Sequence, residues 1–263
     1  MENDLLFLSG NDIPFIEAQV IIHQPTLKEI AYIGERDFFV GCGFLDFSKK
    51  LLNDKDKSNL DNYSDFDILM SIMVNRKKET AVTIDAAFKV LTLIFPLYDI
   101  EVRNNVIALK RDDQEFSINR TNFSAFKDIL VNMFNLNLGQ DSKEKYNPAG
   151  TMAAKIADKF KQRHEKLAKL KGGFQANEKR IAILSHYASI LAVGLQKDLN
   201  DLMEYTVYQL YDEFQRYQLK VQWDAYIQAR MAGAKDLEEV DNWMIDLREQ
   251  GKNKDKKPKN KIN

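Results

Sequence analysis

Leu199-Asn200-Asp201-Leu202-Met203-Glu204-Tyr205-Thr206-Val207-Tyr208-Gln209-Leu210-Tyr211-Asp212-Glu213-Phe214-Gln215-Arg216-Tyr217 is the stretch that decides the fold class. Its apolar positions, Leu199, Leu202, Met203, Thr206, Val207, Leu210, Tyr211, Phe214 and Tyr217, advance in steps of three and four. That spacing places them on one face of a helix. The face can continue through Val221, Ala225 and Ala229. The pattern predicts a helix of about 30 residues, roughly 45 Å long at 1.5 Å per residue. Gly233 should end it.

Working backwards, Ile181 to Leu195 is a nearly apolar helix interrupted by His186 and Ser189. Met152 to Lys171 is a basic helix broken by Gly172-Gly173, and 139–150, with its Pro-Ala-Gly end, has the composition of a linker. Forwards, Asp241-Asn242-Trp243-Met244 should begin a last short helix, and 251–263 is a basic tail too polar to fold alone. No strand is expected beyond residue 150.

The first 138 residues mix periods. Thr26 and Glu29 form a capping-box pattern that opens a helix over Leu27 to Ile33, stopped by Gly34. Ser64 starts another helix. Thr83 is the expected cap for Ile84 to Phe95, which Pro96 ends. Tyr98 to Val102, Val106 to Leu109 and Glu115 to Ile118 are short β-prone runs, with turns at Asn104-Asn105 and 111–114. Asn122 caps a helix over Phe123 to Phe134. The expected class is therefore mainly α with a small antiparallel β meander. An α+β domain over 1–138, hairpin near 98–118, precedes a linker over 139–150, an all-α domain over 151–250 and a flexible tail over 251–263.

Composition limits the chemistry. The 263 residues hold 38 Lys+Arg and 39 Asp+Glu, three His and one Cys. A lone Cys42 excludes a disulfide framework and any cysteine-based zinc site. An acidic start, Met1-Glu-Asn-Asp, is unlike a signal peptide. Ala86 to Tyr98 and Ile181 to Leu195 fall short of the ~20 apolar residues of a membrane span. The phosphate-binding glycine pattern is missing, since Gly172-Gly173 lacks the spacing. Gly41-Cys42-Gly43 superficially suggests a nucleophile turn, but it lies between helical signals and has no companion His nearby, so Cys42 reads as an ordinary buried cysteine. His164-Glu165 lacks a second His, because position 168 is Ala. His23 reads as a cap or turn residue and His186 as a core or interface histidine. The pairs Asp198/Asp201 and Asp212/Glu213 read as solvated helix edges. No catalytic, cofactor or metal residues are assigned.

Net charge is distributed in blocks: −6 over 1–150, +6 over 151–180, −6 over 181–250 and +5 over 251–263. The basic block, with Lys155, Lys159, Arg163, Lys166 and Lys169, is the candidate electrostatic surface. Its acidic flanks and missing aromatic interleaving argue against a nucleic-acid protein. Aromatics crowd the C-terminal third instead: Tyr205, Tyr208, Tyr211, Tyr217, Trp223, Tyr226 and Trp243. Tyr and Trp give interfaces a large area with one polar handle, though the core of a helical domain uses them too. Tyr208 and Tyr226 fall off the main stripe and are the better candidates for a partner surface.

The run Asp201 to Asp212, with Phe214-Gln215-Arg216-Tyr217, Trp223-Asp224, Ala232-Gly233-Ala234 and Glu238 to Trp243-Met244, resembles tail-module proteins of bacteriophages that infect Gram-positive hosts. His23 to Ile30 and Gly34-Glu35 fit the same setting. The resemblance implies a non-enzymatic tail assembly chaperone that binds the tape-measure protein, or a tail or baseplate component. It further implies a homo-oligomer, found in the host cytoplasm during assembly or in the virion tail, with no cofactor and no membrane role. A nucleic-acid-binding accessory protein is the rival expectation.

Overall fold

The computed structural model describes residues 4–47, 62–103, 105–136, 183–234, 240 and 242–245. In chain order among these residues, α1 (Asp4–Ser9) leads to a hairpin of β1 (Ile13–Phe15) and β2 (Val20–Ile22) joined by a short 3-10 turn. Then come α2 (Leu27–Ile33), α3 (Glu35–Leu45), α4 (Asp65–Val74) and α5 (Ala81–Ile94). The meander β3 (Asp99–Arg103), β4 (Val106–Arg111) and β5 (Gln114–Ile118) precedes α6 (Phe123–Met133). The C-terminal part holds α7 (Ile183–Leu195), α8 (Leu199–Met203) and α9 (Val207–Met231). The chain is mainly helical, with two small antiparallel sheets in its N-terminal part and helices in its C-terminal part.

Local chemistry explains most boundaries. Thr26 and Glu29 make both bonds of the capping box, and Ser64 with Asp67 repeats it at α4. Gly34, at φ +87°, closes α2 and begins α3 without a break. The meander pairs Arg103 with Val106 and Arg111 with Gln114, so each connection has two residues. Asn105 and Asp112 take φ of +57° and +52°, which short polar side chains tolerate.

Gly41-Cys42-Gly43, set aside above as a nucleophile turn, lies inside α3. Several expectations are corrected. Helix α5 starts at Ala81, two residues ahead of Thr83, because Thr80 already folds a turn back onto Lys77. Asn122 precedes α6, but its side chain does not cap the helix. It accepts from the Asn119 N–H at 2.8 Å and donates to the Ser117 carbonyl at 3.0 Å. The β1–β2 hairpin was not legible beforehand.

The largest correction concerns the 199–217 stripe, which forms two helices. After α8, Thr206 adopts an extended conformation and opens α9 with its own capping box to Gln209. The break is held from outside, since the Leu27 N–H donates to the Tyr205 carbonyl at 2.8 Å and Thr26 pairs with Thr206 in a β-bridge. The two capping threonines are thus joined directly. Helix α9 has 25 residues, roughly 38 Å by its rise, and stops just before Gly233 at φ +85°. Residues 242–245 form a turn where a helix was expected.

One apolar core takes residues from both parts. Phe15, Phe38, Phe66, Phe95, Phe126 and Phe134 are fully buried, each worth about 1.5–3 kcal/mol by burial alone. Phe126 lies at the hub, with ring centroids 6.1, 6.0 and 6.3 Å from Phe15, Phe95 and Phe123. Leu202, Val207, Leu210, Tyr211 and Phe214 join the same core from the C-terminal helices. Polar ties reinforce that docking. Glu35 accepts from the Leu184 N–H at 2.7 Å and from the Ser185 hydroxyl at 3.1 Å, supplying an acceptor at the start of α7. Among the described residues no helix is long and apolar enough to cross a membrane.

Candidate partner-binding groove

Helix α9 turns two different faces to its surroundings. Val207, Leu210, Tyr211 and Phe214 point into the core, with Tyr187 of α7 stacked 3.8 Å from Phe214 and edge-on to Tyr211. Burial, together with the nearby Tyr187 and Glu35, pushes the Tyr211 phenol well above its ordinary value. Tyr211 is therefore a packing residue. Gln209, Asp212, Glu213, Arg216, Tyr217 and Lys220 instead border a groove of about 500 Å³. Leu8 of α1, Leu195 of α7, Tyr205 and Trp243 complete its lining.

Specific contacts place several side chains in and around the groove. Tyr217 lies across Gly194: a Cβ there would stand 2.3 Å from the Tyr217 hydroxyl oxygen, so only glycine leaves room for the ring. Lys197 follows the end of α7 and donates to both Glu213 Oε1 and the Tyr205 hydroxyl at 2.5 Å. Its partial burial opposes the charge, yet those two partners outweigh it and hold the ammonium pKa above the ordinary value. Arg216 pairs with Asp212 at 3.4 Å one turn away and reaches the Ile245 carbonyl at 3.5 Å. That contact brings the 242–245 turn, and Trp243 with it, beside α9. The result is a mostly apolar trough with charges of both signs along its rim, Asp212 and Glu213 followed by Arg216 and Lys220.

The other sequence-selected aromatics fall elsewhere. Tyr208, expected off the packing face, stacks on Phe7 of α1 at 5.5 Å and is half-buried. Trp223 and Tyr226 sit together on the distal half of α9, 5.9 Å apart, with Arg230 over the Tyr226 ring. Tyr205, Tyr217 and Trp243 are the three that converge on the groove. Lys155, Lys159, Arg163, Lys166 and Lys169 lie outside the described residues. His186, expected on an apolar face, is exposed, whereas His23 is bonded to Asp12 and Glu29. Cys42 is fully buried in α3, which raises its thiol pKa well above the ordinary value and leaves it unsuited to nucleophilic chemistry. Among the described residues no cluster of His, Cys, Asp and Glu could hold a metal ion.

No sequence signal singled out Leu8, Leu195 and Arg216 as groove residues. Leu8 lies roughly 200 positions away from α9, and no pattern announces that contact. Gln209 carried a signal: Thr206-Val207-Tyr208-Gln209 is a capping box, obscured by the longer apolar stripe. A second hollow of about 660 Å³ lies against α5, floored by Ile33, Phe88, Leu93 and Pro96. It contains none of the sequence-selected residues. Its rim charges Asp85, Lys89 and Glu29 are engaged by Arg76, Asp37 and His23.

Comparison with known proteins adds one finding. Residues 176–247 match the family model of the YomV second domain, a phage-derived family. The matched stretch is about a quarter of the chain and spans α7, α8, α9 and Trp243. It contains every lining residue of the groove except Leu8. No curated protein and no solved structure matches the chain.

Proposed function

We propose that the protein is a non-enzymatic bacteriophage tail assembly protein that holds another protein in the groove along α9. The favoured partner is the tape-measure protein before the tail tube polymerises around it. One observation carries the proposal: Tyr205, Tyr217 and Trp243, from the α8–α9 break, α9 and the 242–245 turn, converge on one apolar trough inside the stretch that matches a phage-derived domain. An amphipathic helix laid into such a trough gains affinity from apolar anchors and register from the rim charges. The phage-tail resemblance of 201–244 supports the same setting.

Co-expression with candidate tail proteins, followed by affinity capture, tests this proposal. The wild-type chain should retain the tape-measure protein, and the Tyr205→Ala/Trp243→Ala pair should lose most of it while remaining folded. Undiminished capture by the double variant would place the contact elsewhere. Salt-sensitive recovery of nucleic acid with no tail protein would favour the accessory-protein alternative. Proteomics of purified virions separates a chaperone, scarce in mature particles, from a tail or baseplate component.

A further inference from the structure

His23 lies between β2 and α2, and its ring faces two carboxylates at once. Nδ1 is 2.8 Å from Asp12 Oδ1, and Nε2 is 3.2 Å from both oxygens of Glu29. Asp12 belongs to the turn between α1 and β1, whereas Glu29 sits in the first turn of α2. The backbone holds the ring in place, because the His23 N–H donates to the Ile94 carbonyl at the end of α5 at 2.8 Å. A carboxylate accepts hydrogen bonds and donates none. Both contacts are satisfied only when both ring nitrogens carry a proton, which makes the ring an imidazolium.

A neutral ring would aim one lone pair at a negative oxygen. Asp12 and Glu29 are the charged groups bonded to the ring among the described residues, whereas Asp85 and Lys89 of α5, which border the same hollow as Glu29, are paired with Arg76 and Asp37. Partial burial opposes protonation, but the bonds and charges of the two carboxylates outweigh it, so the folded pKa lies above the ordinary 6.5.

The tether matters because of what Asp12 is attached to. Helix α1 forms one wall of the groove: Leu8 lines it, Phe7 stacks on Tyr208, and Gln209 Nε2 donates to the Leu8 carbonyl at 2.9 Å. On its other side Gln24 Nε2 donates to the carbonyls of Leu6 and Asn11. We propose that His23 is a proton-operated latch that bridges Asp12 to α2 and so holds α1 in place as a wall of the α9 groove. Loss of either ring proton cuts the bridge. Glu29 keeps its bonds from the Thr26 N–H and hydroxyl, so α2 stays capped and the loosening falls on residues 4–12.

The sign follows from the raised histidine value. The latch is fully set below about pH 6.5, while the carboxylates are still charged, and is released as pH rises through the folded value. Its consequence for binding rests on the groove assignment above, but its test does not. Amide exchange of the full chain, expressed as protection relative to intrinsic rates, is compared at pH 5.5 and pH 8.5. Protection of residues 4–12 should fall roughly three- to tenfold at the higher pH, the scale of one partly exposed charged hydrogen bond.

Asp12→Ala, which removes the acceptor, should show the low value at both pH values. Glu29→Gln, which keeps the capping box, should move the midpoint of the step downward. Equal protection of wild type at the two pH values, or a midpoint unmoved by Glu29→Gln, would overturn the latch. Partner capture is measured separately, so failure of the groove leaves this result readable.

Discussion

Helices α3 and α5 meet at Gly41, and helices α7 and α9 meet at Gly194, but the two glycines make room for different things. A Cβ on Gly41 would stand 2.4 Å from the Ala86 carbonyl oxygen and 2.7 Å from Val90. There the backbones themselves touch, deep in the core. The atoms nearest to a Cβ on Gly194 all belong to the far end of the Tyr217 side chain, at the edge of the groove. One contact is set by main chain that has nowhere to go. The other is set by a ring on two rotatable bonds. The first fixes the fold; the second shapes the candidate site.

Substituting glycines probes that contrast, and the largest effect belongs to Gly41. Alanine there gains about 1 kcal/mol of helix propensity, but overpacking against a carbonyl costs about 3 kcal/mol or more. Gly41→Ala should therefore lose about 2 kcal/mol or more, measured as a lower midpoint in urea. Stability at or above wild type would mean that α3 and α5 can separate at little cost.

Gly194→Ala gains the same propensity, while Tyr217 swings aside into the groove. Its net stability change should stay within about 1 kcal/mol, yet partner capture should fall clearly. A large stability loss with unchanged capture would reverse the roles assigned to the two contacts.

Gly43 gives the smallest and opposite effect. It lies in the same helix as Gly41, with nothing within 4 Å of an added Cβ. Gly43→Ala should raise stability by about 0.5–1 kcal/mol. A loss would show that helix α3 is constrained along its whole length, beyond its contact with α5.

Legibility followed how local each signal was. The box of Thr26 with Glu29 and the helix start at Ser64 were readable because a cap is complete within four residues. The 98–118 meander was readable because its two-residue turns carry residues that tolerate positive φ. The role of Gly41 was not readable, because glycine discourages helix locally and only the approach of Ala86 makes it an asset there. The stripe over 199–217 misled for a related reason. Its periodicity was correct, but Thr206 is held in an extended conformation by Thr26, far away in sequence. Tyr208 was assigned to the free side of that stripe, and Phe7 covers it.

The sequence by itself determined the class of the protein: helical periodicity, caps and turn residues are local, and each acts within a few neighbouring positions. It also placed the aromatic residues in the C-terminal third. Tertiary structure alone decided which of those aromatics became core and which became groove. Tyr211 and Tyr217 share one stripe, yet one is buried against Tyr187 and the other rests over a glycine beside Leu8 and Trp243. Burial depends on what arrives from elsewhere in the chain, and no local pattern encodes that arrival.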